Sequence, residues 1–215
     1  IVRAAGKDAI EHEYIPSVLW NDKRYLYLPS LYEAETESAI RIRNMMDAEP
    51  LGSSKLAIEK FERENHLSLA DRQKEAVQKA LESGVLVITG GPGTGKTTLV
   101  RAIITAVRQF QKKVRLMAPT GRAAKRLSLS SGMNADTIHK ALEAELHDSG
   151  GTFFNRNESD PLKEDIIIVD EASMMDISLF YHLLCALKEG ARLILVGDID
   201  QLPPVGPGSP LKDLI

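Results

Sequence analysis

Residues 85–98 read VLVITGGPGTGKTT: a short β-branched run, a glycine-rich loop, then the start of an apolar-periodic helix over about 96–110. Gly90-Gly91-Pro92-Gly93-Thr94-Gly95-Lys96-Thr97 satisfies the pattern G-x-x-x-x-G-K-[ST]. At average glycine usage a chain of this length matches it by accident on the order of once in a hundred. The glycines let backbone N–H groups converge on phosphate oxygens without Cβ obstruction, and the following helix N-terminus adds positive dipole there. A strand–loop–helix context therefore predicts a nucleotide site formed by Gly90 to Thr98. Lys96 is expected to reach the β- and γ-phosphates, and the Thr97 hydroxyl to ligate Mg²⁺.

Two further strand tips extend this site. Ile166-Ile167-Ile168-Val169-Asp170-Glu171 is an apolar strand ending in two carboxylates. Asp170 is placed to hold Mg²⁺ through its water shell, and Glu171 to polarise a water for in-line attack. Residues 192–205, RLILVGDIDQLPPV, give another strand followed by a loop containing Gln201. The residues alone leave Gln201 open between a polar turn residue and a phosphate sensor.

Strand and helix patterns alternate around these motifs. VRLMAP (114–119) reads as a strand and GRAAKRLSL as a helix, TIHKALEAEL (137–146) as another helix, and ISLFYHLLCALKEG (177–190) as one more. The alternation predicts an α/β fold with a mainly parallel sheet flanked by helices, active loops at the strand carboxyl ends, and VLVIT buried on both faces. Upstream, IPSVLWNDKRYLYLP has the form of a hairpin turning at Asn21-Asp22. Residues 30–49 give an amphipathic helix with Leu31, Ala34, Ala39, Ile42 and Met46 near one face. AEPLGSS marks a boundary, so residues 1–48 are expected to form a small α+β piece, 49–68 a linker and short helix, and 69–215 the main domain.

Of the 215 residues 43% are hydrophobic, which supports a packed core and excludes wholesale disorder. The single cysteine, Cys185, excludes a disulfide framework and reads as buried and inert, and the five histidines lack metal-ligand spacing. No apolar run approaches a membrane span. The chain lacks both an initiator Met and a signal-peptide core, so a fragment of a longer protein is expected. The net charge of −3 conceals a division: residues 83–135 carry nine basic and no acidic side chains, and 136–215 carry six basic and 15 acidic. Local positive potential is what a polyanion senses, and the division reads equally as a phosphate-binding face or as solvated helix faces that happen to segregate.

GGPGTGKTT, APTGRAAKRL (118–127), DTIHKAL (136–142), IIIVDEASMMD (166–176) and LILVGDIDQLPPVGPG (193–208) together resemble, in order, motifs I, Ia, Ib, II and III of RecD-like DNA helicases of superfamily 1B. The resemblance covers residues 69–208. It implies a RecA-like P-loop NTPase domain that acts as the first motor of an ATP-dependent 5′→3′ DNA helicase, with ATP and Mg²⁺ as cofactors. It implies an adenine contact for Gln73, which composition alone would make an exposed helix residue, and a γ-phosphate sensor for Gln201. Thr120, Gly121 and Arg122, with Thr137 and His139, are implied to hold DNA backbone; a lone histidine is as readily a packed core residue, and both readings of His139 stand. Lys125 and Arg126, one turn on, read equally as a solvated face. The implied partners are single-stranded DNA, a duplex with a 5′ overhang, and repair or recombination complex subunits, in a bacterial-type cytoplasm. The family's second motor domain, with its arginine finger, is expected outside these residues, leaving the chain alone nearly inactive. Residues 146–164 are expected to leave the core as a short β-hairpin, a strand-splitting pin carrying Phe153, Phe154 and Arg156, or as a plain loop. A non-motor ATP-gated DNA-binding or assembly module is the main alternative function, and a small-molecule phosphotransferase a second.

Overall fold

The computed structural model describes residues 16–146, 152–201 and 203–215. The chain begins with a hairpin of β1 (Ser17–Trp20) and β2 (Lys23–Leu26), whose turn residues Asn21 and Asp22 both take positive φ, as a two-residue hairpin turn demands. Helices α1 (Pro29–Met45), α2 (Lys55–Asn65) and α3 (Asp71–Glu82) follow.

The main sheet has five strands: β3 (Val85–Thr89), β4 (Val114–Ala118), β5 (Ala135–Thr137), β8 (Ile166–Val169) and β9 (Arg192–Gly197). Every pairing is parallel and the order is β3-β9-β8-β4-β5. Helix α4 (Lys96–Arg108) joins β3 to β4, and α5 (Gly121–Ser131) joins β4 to β5. Helix α7 (Ile177–Cys185) joins β8 to β9, and α8 (Pro210–Asp213) closes the chain. The fold is the RecA-like α/β architecture that the motif order implies.

Alternate residues of the central strands serve two apolar layers, as a pleated strand requires. Ile166, Ile168, Ile194 and Val196 meet Ile103 and Val107 of α4 together with α2 and α3. Ile167, Val169, Leu193 and Leu195 meet Phe180, Leu183 and Leu184 of α7 together with Ala34 and Ile42 of α1. Each large side chain so buried contributes about 1.5–3 kcal/mol relative to exposure.

Several expectations need correction. β3 lies at the sheet edge: Leu86 and Ile88 pack into one apolar layer and Val85 and Val87 against the other, so both faces are covered, but only Ile88 is fully buried. In α1 the buried positions are Ala34, Ser38 and Ile42, while Ala39 and Met46 are exposed. Tyr25, a candidate core residue by its aromatic character, is exposed, and half-buried Tyr27 packs edge-on against Tyr32 at 5.7 Å. Residues 137–146 are not one helix. Thr137 ends β5, α6 (Ile138–Ala141) makes a single turn, Glu143 takes φ 53°, and β6 (Ala144–Leu146) begins.

β6 pairs antiparallel with β7 (Thr152–Phe154), so a hairpin does leave the core here, its tip lying outside the described residues. Phe154 is buried at its base, with its ring 5.9 Å from His139 and 4.6 Å from His182. Arg156 is engaged by Glu143 and Asp160. Neither is free to serve as a wedge; among the described residues of the hairpin, Leu146 and Phe153 are the exposed apolar side chains.

Candidate active site

In an all-parallel sheet the carboxyl ends of all strands lie along one edge, and ligands bind outside that edge. The strand order also sorts the loops along it. β3, β9 and β8 are adjacent and deliver the P-loop, the Gln201 loop and the Asp170-Glu171 pair. β4 and β5 come next and deliver Thr120–Arg122 and Thr137–His139. Residues implied to hold nucleotide and residues implied to hold DNA thus occupy neighbouring halves of one edge.

The P-loop leaves β3 and enters α4 through Gly95, whose φ of 82° lies in the left-handed region that favours glycine. The Lys96 ammonium donates to the Gly91 carbonyl at 2.9 Å and to that of Gly90, and the Thr94 hydroxyl donates to Gly91 at 2.8 Å. Thr97 is exposed and Thr98 half-buried in the first turn of α4, where helix N–H groups have no partner within the helix. A Cβ built on Gly91 or Gly93 meets nothing within 4 Å, and Pro92 is exposed, so the loop's outer face is open to a ligand. Gln73 closes one side. Its amide nitrogen donates to the Thr94 carbonyl at 3.4 Å, while its oxygen accepts from the Ala70 N–H at the start of α3.

Asp170 follows β8, its N–H donating to the Met117 carbonyl at 2.9 Å. Burial pushes its carboxyl above the ordinary aspartate range. The Glu171 N–H opposes this, the Glu171 charge reinforces it, and Arg126 and Lys96 pull it back down. Glu171 takes φ 54°, a left-handed conformation that costs a non-glycine residue on the order of 1–3 kcal/mol and that clusters at functional sites. Its Oε2 is buried with no hydrogen-bond partner among the described residues. An open glycine loop, a lysine at its mouth, a half-buried aspartate within reach of that lysine's field and a carboxylate oxygen left free form a donor set that fits a nucleoside triphosphate with a divalent cation.

Gln201 is exposed on the turn after β9, where its N–H donates to the Asp198 carbonyl at 3.3 Å. The Thr120 hydroxyl caps α5 by accepting from the Ala123 N–H at 3.2 Å. The Thr137 hydroxyl caps α6 in the same way, at 3.1 Å from the Lys140 N–H. Both threonines therefore position helix N-termini. Gly121, Arg122 and His139 are exposed. Of the nine basic residues between 83 and 135, Arg115 is tied to Asp136 and Glu164, and Arg101 lies over the Phe61 ring. Arg108, Lys112 and Lys113 stand at the opposite edge, where α4 ends and β4 begins.

Arg126 is the residue that sequence reasoning missed. From the second turn of α5 its guanidinium donates to Glu171 Oε1 and comes within 3.9 Å of Asp170. Only the adjacency of β4 and β8 makes that reach available, and no spacing in the sequence reports it.

A family described as an AAA domain matches residues 73–207, which include every one of these site residues. The chain belongs to this AAA domain family. Its sequence relatives bear out the resemblance carried by the motifs. One is the ATP-dependent RecD2 DNA helicase of Deinococcus radiodurans, 39% identical over 88% of this chain and 26% of the relative. Another is the RecBCD enzyme subunit RecD of Mycobacterium tuberculosis, 38% identical over 67% of this chain and 28% of the relative. Among solved structures, the Pif1 helicase from Candida albicans is 29% identical, covering 65% of this chain and 34% of that one, with a TM-score of 0.48. The AAA domain and its flanks thus span about a quarter of the length of the two curated relatives. Among the described residues no helix is long and apolar enough to cross a membrane.

Proposed function

We propose that this chain is the first motor domain of an ATP-dependent DNA helicase, and that its nucleotide and strand sites work as one unit along the carboxyl edge of the sheet. The observation that carries this reading is the strand order β3-β9-β8-β4-β5, which sets a complete P-loop site beside an exposed, capped, arginine-bearing helix N-terminus. In this reading Lys96 and the α4 N–H groups hold the phosphates, Gln73 flanks the base, and Thr97 and Asp170 hold Mg²⁺ through water. When bound, the cation neutralises charge on the β- and γ-phosphates. Glu171 orients and deprotonates the attacking water, and Gln201 responds to the γ-phosphate.

On the other half of the edge, Gly121 and Arg122 at the dipole-positive end of α5 take strand phosphates, with His139 beside them. Such contacts are independent of sequence, as a translocating protein needs. The 5′→3′ direction, a 5′-overhang duplex as substrate, membership of a repair or recombination complex and a cytoplasmic location belong to this proposal and rest on the resemblance of the motifs. In the resembled family the arginine finger comes from a second motor domain, so the 215 residues alone are expected to bind nucleotide and turn it over slowly. An arginine finger is worth roughly 10³–10⁵ in turnover in related systems.

Fluorescent ATP-analogue binding to the chain, with and without Mg²⁺, tests the site itself. Lys96→Ala should weaken binding at least tenfold. Equal affinity for the variant and the parent contradicts the assignment.

A further inference from the structure

We propose that Asp176 is a positioning residue: with Gly206 it clasps the Gln201 loop, sets how far that side chain reaches towards a γ-phosphate, and so sets the preference of the site for nucleoside triphosphate over diphosphate. This rests on the reading of Gln201 as the residue that responds to the γ-phosphate.

The Gln201 loop is held at both ends by one short piece of chain. That piece leaves the Asp170-Glu171 strand tip through a single tight turn, Ala172–Met174, and enters α7 behind its N-cap Asp176. At the near end of the loop, a Cβ built on Gly197 would lie 2.5 Å from Leu211 Cδ2 and 3.1 Å from the Ser173 nitrogen, so β9 ends flush against the turn. Asp198, 4% exposed, then accepts from the Asp200 N–H through its carboxylate at 3.1 Å and from the Gln201 N–H through its carbonyl. At the far end the approach is closer still. A Cβ on Gly206 would fall 2.0 Å from Asp176 Oδ2, 2.8 Å from its Cγ and 2.9 Å from its Cβ. The Pro207 carbonyl accepts from the Ile177 N–H at 2.9 Å, and Gly208, at φ 81°, lies against the Ile177 side chain.

Asp176 cannot yield at this contact by turning its side chain. Its Oδ1 accepts from the Leu179 N–H at 2.8 Å to cap α7, and its Cβ is fixed by the backbone. The helix behind it is anchored in the core by Phe180, Leu183 and Leu184. Between the two anchors Ile199, Gln201 and Val205 are exposed, so the loop ends rather than the packing of the span decide where Gln201 stands. A displacement of about 1 Å at Gly206 is enough to take Gln201 out of hydrogen-bond range of a phosphate oxygen. Diphosphate, which is held by the P-loop alone, does not feel it.

The test measures, on the full-length protein, equilibrium affinities for ADP and for a non-hydrolysable ATP analogue, both with Mg²⁺, and takes their ratio. Gly206→Ala should lower the preference for the analogue about tenfold, as loss of one hydrogen bond to a charged group does, and leave ADP affinity within about twofold of the parent. Adding Asp176→Gly makes room for the new methyl group, and glycine remains an acceptable N-cap. The double variant should therefore recover the ratio to within about threefold of the parent. Gln201→Ala sets the scale by lowering the same ratio directly.

A ratio unchanged in Gly206→Ala while Gln201→Ala lowers it overturns the clasp and leaves the sensor reading standing. Equal losses for both nucleotides in Gly206→Ala, or a loss that Asp176→Gly does not relieve, overturn the clasp as well. A ratio that Gln201→Ala leaves unchanged overturns the sensor reading itself.

Discussion

The side-chain amide of Gln73 donates to the Thr94 carbonyl at 3.4 Å, so the first turn of α3 rests directly on the P-loop. The contact needs glycine at the next position. A Cβ on Gly95 would come within 2.7 Å of the Gln73 nitrogen, on a backbone held at φ 82°. Gly95→Ala is therefore expected to displace Gln73 and strain the loop by roughly 1–2 kcal/mol. The expected result is about a tenfold loss of nucleotide affinity with the far-UV circular dichroism unchanged. Affinity within twofold of the parent counts against this geometry.

Arg192 is a buried cation at the other end of the sheet, 4% exposed. Its two terminal nitrogens donate to the carbonyls of Ser83 and Glu49, which fixes the linker and the turn before β3 to the start of β9. Arg192→Met keeps much of the apolar stem but leaves two carbonyls without their donor. A loss of about 2–4 kcal/mol is expected in urea unfolding. A change below about 0.5 kcal/mol would mean that water replaces the guanidinium at no cost.

Asp165 accepts from Lys188 Nζ at 2.8 Å and from the Lys113 N–H at 2.7 Å. Burial pushes its carboxyl up, but these bonds together with the charges of Lys188 and Lys112 pull it further down, leaving it below the usual aspartate value of 3.8. A depressed folded-state value means that the stabilisation is present above the unfolded value and is lost as pH falls through the folded one. Asp165→Asn is expected to cost about 1 kcal/mol at pH 7. The gap to the parent should narrow as the pH drops below about 3.8. A gap that widens on acidification has the wrong sign.

The nucleotide half of the site was legible because its chemistry is local. Loop, lysine and helix start are contiguous from Gly90 to Thr98, and Asp170-Glu171 adjoin at one strand tip. The hairpin turn at Asn21-Asp22 was legible for the same reason, being set by two residues that tolerate positive φ. What failed depended on neighbours distant in sequence. β5 is only three residues long, Ala135–Thr137, and is a strand only because β4 lies beside it. The helical period of 137–146 was broken by the left-handed Glu143, whose carboxylate Arg156 holds from 13 residues away. Arg126 reaches Glu171 across 45 residues of sequence, a pairing that strand order alone creates.

The two phenylalanines of β7 should separate stability from function. Phe154 is buried at the hairpin base and Phe153 is 50% exposed. Phe154→Ala is expected to cost about 3–5 kcal/mol, with partial relief if the base collapses. Phe153→Ala should stay within about 0.5 kcal/mol of the parent, as a surface change does. If the hairpin engages a duplex, Phe153→Ala lowers strand separation by the full-length protein and leaves its ATP turnover unchanged. Equal stability losses for the two variants contradict the burial difference.

The reading proposed above couples nucleotide and strand sites that share one sheet edge. Steady-state ATP turnover by the full-length protein, with and without single-stranded DNA and with Lys96→Ala as control, measures that coupling most directly. Coupled sites should give at least tenfold stimulation by DNA, abolished by Lys96→Ala. Tight nucleotide binding with a turnover indifferent to DNA would contradict it.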